Sequence, residues 1–143
     1  MAVLEQIKQD VTAALKAGDR ERTGALRLIA NELQKAAKEG EADEVAVLQR
    51  ERKRRIEAAE AYRDAEREDL AASEEREAAI IEGYMPEQIS DEELRAIVGD
   101  VVAESGATSP KEMGKVMSAV MPQVKGRADG KRVSAVVQEL LSP

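Results

Sequence analysis

Four basic side chains fall within eight positions near the C-terminal end: Lys125, Arg127, Lys131 and Arg132, in the stretch MPQVKGRADGKR (121–132). Gly126 and Gly130 stand among them, and Asp129 is the one acid. Cations beside glycines, which let another backbone come close, are the ingredients of a phosphate-binding turn. The spacing of residues 126–131, G-x-x-x-G-K, is one residue short of a nucleotide-binding loop. Arg132 also stands where that loop needs Ser or Thr, and no strand precedes it, so ATP binding is rejected.

Two readings of the stretch stay open. The free amides at the start of a final helix, with Lys131 and Arg132 in its first turn, suit a phosphate. Alternatively Gly126 closes one helix and Asp129 caps the next, in which case the cap competes with any anion. Lys115, upstream, points away from the apolar stripe of its own helix and adds a further cation. Gly114 and Ser118 form a small-residue edge beside that stripe. Glycine inside an exposed helix costs roughly 1 kcal/mol against Ala, so the edge is read as a helix-packing or partner contact.

Other chemistry is scarce. The chain has no Cys and no His. That excludes disulfides, thiolate metal sites and thiol nucleophiles, and removes the commonest general base. Carboxylates are many, but none stands with a nucleophile or at a metal-type spacing, so no catalytic residue, metal or cofactor is assigned. The run RERKRR (50–55) reads as a solvated, salt-laced helix face, with Glu51–Arg55 and Lys53–Glu57 at i, i+4. Arg52 falls between Leu48 and Ile56 on the apolar stripe, where it can bury its stem and keep its head wet. Tyr62 and Tyr84 are the only aromatic residues, so bases have no stacking platform.

Helices must position these residues, because apolar periodicity near 3.6 runs almost end to end and no alternating strand pattern occurs. Leu4, Ile7, Val11 and Leu15 make a first stripe, ended at residues 17–19. Leu26, Ile29, Leu33 and Ala37 make a second, ending near Gly40. Asp43 caps a third helix carrying Val45, Leu48, Ile56 and Ala59. EREDL (66–70) marks a turn with Asp69 as N-cap, and a fourth helix carries Leu70, Ala78, Ile81 and Met85 up to Pro86. Ser90 with Glu93 is a capping box, and Gly106 ends the helix it starts. Ser109 with Glu112 is a second box, with Pro110 at the first helical position. Asp129 caps the last helix. Met113, Met117 and Met121 share a face with Val116 and Val120 and read as core.

The expected fold is all-α: two linked bundles, an N-terminal one of about four helices over 1–86 and a three-helix tail over 90–143. Charge divides along the chain too. Residues 1–109 hold 16 basic and 26 acidic side chains, net −10, whereas residues 110–143 hold 6 and 3, net +3. An anionic partner is repelled by the first part and tolerated by the last. The N-terminus has no apolar run long enough for a signal peptide or a span, so a cytoplasmic protein without membrane contact is expected.

YMPEQISDEEL (84–94), EMGKVMSAVMPQVKGRADGKRVSAVVQELL (112–141) and REDL (67–70) together resemble the GatB/YqeY family, in order along essentially the whole chain. The tail positions that carry the resemblance are Gly114, Lys115, Met117, Pro122, Lys125, Gly126, Ala128, Asp129 and Gly130. Glu66 stands where relatives often have Gly, and Arg52 where they are commonly apolar. The resemblance implies two linked all-α bundles. It also implies kinship with the C-terminal part of the B subunit of the tRNA-dependent amidotransferase, which amidates misacylated tRNA using glutamine as nitrogen donor. Similar domains are appended to some glutaminyl-tRNA synthetases, and there the tail contacts tRNA.

The leading expectation is a non-catalytic tRNA-binding accessory protein, with Lys115, Lys125, Arg127, Lys131 and Arg132 on phosphates and Gly126 and Gly130 permitting close approach. Such contacts position RNA without reading its sequence. The alternative is a helical adaptor for a synthetase or amidotransferase, docking at Gly114 and Ser118. A complete glutamine-dependent carbon–nitrogen ligase is the third class, and the absence of Cys and of a nucleotide site argues against it for this chain alone.

Overall fold

The computed structural model describes residues 2–142, and every regular element among them is helical. The chain divides into two compact units, Met1–Met85 and Pro86–Pro143.

The first unit contains α1 (Val3–Ala17), α2 (Arg20–Lys38), α3 (Glu44–Asp64) and α4 (Glu68–Glu82). Gly18 ends α1 with φ 75°, the left-handed conformation that favours glycine. Asp19 then starts α2, its carboxylate accepting from the Arg22 N–H. Asp43 caps α3 likewise, through the Ala46 N–H. The start of α1 has no local cap. Glu44, in the first turn of α3, supplies one from 40 residues away, accepting from the Val3 and Leu4 amides at 3.1 and 2.9 Å. Two of the orphan donors of α1 are thereby satisfied.

The helices α3 and α4 form an antiparallel hairpin joined by ion pairs at successive levels: Arg52–Glu82, Arg55–Glu77 and Arg63–Glu68. Ile7, Leu26, Ile29, Leu48 and Ile81 are fully buried in the core of this unit.

Several expectations need correction here. Asp69 is not the N-cap of α4: Arg67 holds that place, and the helix begins at Glu68 without a side-chain cap. Leu15 is 58% exposed, and Ala14 faces the core in its place. Ala37 is exposed while Ala36 is buried. The run at 50–55 is not simply a solvated face. Glu51 is only 4% exposed, accepting from Arg54 at 2.8 Å and from Arg55 at 3.2 Å. Arg52 does keep its head at the surface, donating to Glu82 at 2.6 Å.

The second unit packs α5 (Asp91–Ser105), α6 (Met113–Val120) and α7 (Gly130–Leu141) around Leu94, Val98, Val116, Val120, Val133 and Val137. One 3-10 turn, Pro110–Glu112, leads into α6, and another, Met121–Gln123, leaves it. The Ser109–Glu112 capping box is formed. The Ser90–Glu93 box is half formed. Ser90 accepts from the Glu93 N–H at 3.1 Å, but the Glu93 carboxylate is turned to Arg127 instead. Met113, Met117 and Met121 are partly buried against this core.

Candidate nucleic-acid interface

The turn between α6 and α7 is built on the segment that precedes α5. Ile89 is buried, and its N–H donates to the Arg127 carbonyl at 2.9 Å. Gln88 donates through Nε2 to the Gly126 carbonyl at 3.2 Å. Arg127 returns the contact, its Nε donating to the Glu87 carbonyl at 3.1 Å. Gly126 is buried with φ 76°, a conformation a Cβ would strain. Ala128 and Val124 are buried beneath it. The turn is therefore fixed from below, and its cations lie on a rigid support.

Those cations differ in what they already hold. Arg127 makes a two-point contact with Glu93, at 3.3 and 3.2 Å. Arg132 donates to Asp91 at 2.7 Å, and that guanidinium holds the Asp91 carboxyl below its usual range. Lys125 is exposed and has a partner of its own. Lys131, in the first turn of α7, is exposed and makes no ion pair among the described residues. Gly130 is the first residue of α7.

The start of α7 is capped from within. Asp129 accepts from the Arg132 N–H at 2.8 Å, as a plain helix connection requires. The carboxylate occupies one of the amides a phosphate would use, so the cap competes with an anion there.

Lys115 lies elsewhere. Its Nζ donates to the carbonyl of Ser105, the last residue of α5, at 3.1 Å. A cation there complements the negative end of the helix. Arg127 and Arg132 hold the opposite end of α5. At 1.5 Å per residue, positions 93 and 105 are about 18 Å apart. Lys115 and the two arginines thus hold opposite ends of α5, and the five cations do not form a single cradle.

Gly114 and Ser118 are exposed, and the Ser118 hydroxyl donates back to the Gly114 carbonyl at 2.9 Å. A Cβ at Gly114 would meet nothing within 4 Å. This glycine does not serve close helix packing within the chain, which corrects half of the sequence expectation. The edge is open surface.

Sequence reasoning missed the role of α5. Glu93 reads as part of a capping box and Asp91 has no role in the sequence reading, yet both bind the tail arginines. The only available signal was their placement opposite a basic turn in a three-helix unit. Among the described residues no group of acidic side chains is arranged to hold a metal ion. No described helix is long and apolar enough to cross a membrane.

A family model described as Yqey-like protein matches residues 4–141. The chain is also similar to a protein of the fungus Pyrenophora tritici-repentis called altered inheritance of mitochondria protein 41, mitochondrial. The two are 28% identical over 147 residues, a match covering 97% of this chain and 81% of the relative.

Proposed function

The chain belongs to the Yqey-like protein family, and from that premise we propose that it is a non-catalytic accessory protein that binds tRNA through its second unit. The observation that carries the reading is the cluster of cations at the tail turn, with Lys115 at the far end of α5, mounted on a buried glycine turn in an otherwise acidic chain. Lys125 and Lys131 provide exposed ammonium groups. Arg127 and Arg132 exchange carboxylate partners for phosphate, which is feasible because exposed ion pairs are worth only about 0–1 kcal/mol. Lys115 extends the contact by about 18 Å, the span of a few backbone phosphates. The resemblance to the tRNA-contacting tail of the amidotransferase B subunit supports the same partner.

Contacts of this kind orient RNA for another protein's chemistry. A synthetase or amidotransferase is the partner that the resemblance suggests, and the open Gly114–Ser118 edge is the place for it to approach. A cytoplasmic location is part of the proposal. The mitochondrial name belongs to the fungal relative.

Charge reversal tests the reading. Lys125→Glu with Lys131→Glu is expected to weaken tRNA binding by about tenfold or more, since each lost phosphate contact removes a counterion-release contribution. Both side chains are exposed, so thermal unfolding should change little, an exposed contact being worth about 0–1 kcal/mol. Undiminished affinity in the folded variant would overturn the proposal.

A further inference from the structure

Ten of the thirteen arginines make ion pairs. The three that make none among the described residues, Arg20, Arg22 and Arg27, all fall in the first eight residues of α2. Arg22 lies beside Tyr84. Arg20 and Arg27 are seven residues apart and therefore share a helix face. Continued at helical spacing, that face passes Asn31 and reaches Lys35 and Lys38, all exposed. Neither lysine makes an ion pair among the described residues. No acid lies on this line, in a chain of net charge −7. Glu32 and Glu39 flank it on the side of Arg50, with which they and Lys35 line a small polar recess.

The face is also apolar. Leu15 is 58% exposed and Leu28 52% exposed, two of the three large hydrophobic side chains left in solvent among the described residues. Leu15, Arg20, Gly24 and Arg27 line a depression of about 410 Å³ at the corner of α1 and α2. A Cβ at Gly24 would meet nothing within 4 Å, so the floor is open. Asp19, also in this depression, is committed as the N-cap of α2.

We propose that this face of α2 is a docking surface for an acidic amphipathic helix of a partner protein. Charge complementarity selects the occupant. The cations extend over residues 20–38, about 27 Å of helix, which matches five turns of a helix bearing Glu or Asp along its flanks. The exposed leucines select against a bare phosphate backbone, which offers nothing apolar to cover them. An apolar side chain at the helix seam covers Leu28 and enters the depression beside Leu15, while rim carboxylates pair with Arg20 and Arg27. The surface is distinct from the tail cations, and the inference stands independently of the RNA reading.

The test uses the full isotope-labelled chain and a synthetic helix of five turns, with Leu at i, i+3, i+4 and i+7 and Glu elsewhere. A scrambled peptide of the same composition and unmodified tRNA serve as the other arms. The expected result is that backbone amide shifts upon peptide addition cluster at Leu15, Arg20, Arg27, Leu28 and Lys35. Arg20→Glu with Arg27→Glu, and separately Leu28→Ser, should each weaken the peptide at least about tenfold, with the scrambled peptide weaker than the ordered one. Both variants should bind tRNA as the parent does. If the double reversal unfolds the chain, Arg20→Gln with Arg27→Gln replaces it. Absence of shifts on this face, or equal binding of the scrambled peptide, would overturn the proposal. So would loss of tRNA binding in the double reversal with Leu28→Ser inert, which would assign the face to RNA.

Discussion

The guanidinium of Arg127 grips the carboxylate of Glu93 with two parallel hydrogen bonds, at 3.3 and 3.2 Å, from 34 residues away. Arg132 holds Asp91, two residues earlier on α5, through a single hydrogen bond at 2.7 Å. Both arginines are about one-third exposed. The pairs keep the tail turn seated on α5, and they also mask two cations proposed to meet RNA.

Unmasking those cations should strengthen binding. Asp91→Asn with Glu93→Gln removes two negative charges and leaves the Ser90 cap on the Glu93 N–H in place. A gain in tRNA affinity of about five-fold is expected, since each exposed pair competes by up to about 1 kcal/mol. Fluorescence anisotropy with labelled tRNA reads it. Lower or unchanged affinity would mean that Arg127 and Arg132 serve the fold alone.

Glu51 offers a stability test. It is nearly inaccessible, and Arg55, itself mostly buried, reaches both Glu51 at 3.2 Å and Glu77 at 3.6 Å. The Arg55 Nε has no hydrogen-bond partner among the described residues. Burial raises the Glu77 carboxyl, with the neighbouring Glu74 adding to the effect. Removing one partner of a buried pair leaves an uncompensated charge, so Glu51→Ala should cost about 3 kcal/mol or more. Denaturant unfolding measures this, and a cost below about 1 kcal/mol would show that Arg55 is adequately served by Glu77.

Tyr84 gives a pH signature. Its hydroxyl donates to Asp10, and burial with that carboxylate pushes the phenol up to about 12. A raised folded value means stabilisation that is complete below the ordinary tyrosine value near 10 and lost as pH rises through 12. In a Tyr62→Phe background Tyr84 is the only tyrosine, and its phenolate absorbance should rise near pH 12. A midpoint near 10 in folded protein would contradict the hydrogen bond. Tyr84→Phe should destabilise by about 1 kcal/mol.

At Glu66 the sequence and the structure explain each other. This residue has φ 61°, the one positive value among non-glycine residues described. The family resemblance implies Gly there in many relatives, and Gly occupies that conformation without strain. Left-handed backbone costs a residue with a Cβ about 1–2 kcal/mol, while Gly loses up to about 1 kcal/mol through unfolded-state entropy. Glu66→Gly should therefore stabilise the chain by up to about 1 kcal/mol, seen as a higher thermal midpoint. A lower midpoint would place the strain elsewhere.

Legibility followed the range of the interactions. Asp43, Asp129, Gly18 and Gly106 announced helix ends because caps act within four residues. Val116, Val120, Val133 and Val137 announced the tail core by periodicity. Leu15 misled because it fits the stripe of α1, yet it stays exposed at the corner with α2 and Ala14 takes the buried place. Glu44 could not be seen as a cap for α1, since 40 residues separate them. Glu51 looked like an i, i+4 surface charge, whereas it is buried and its partner Arg55 reaches across to Glu77 on α4. At the candidate interface the cations and glycines were legible, but their carboxylate partners on α5 were not.

The most direct measurement is the salt dependence of tRNA binding, with log Kobs plotted against log salt concentration by filter binding. If three to five tail cations contact phosphates, the slope should be about −2 to −4, and Lys125→Glu with Lys131→Glu should flatten it by about 1.5 or more. A slope near zero, or one that the double reversal leaves unchanged, would contradict tRNA binding through the tail.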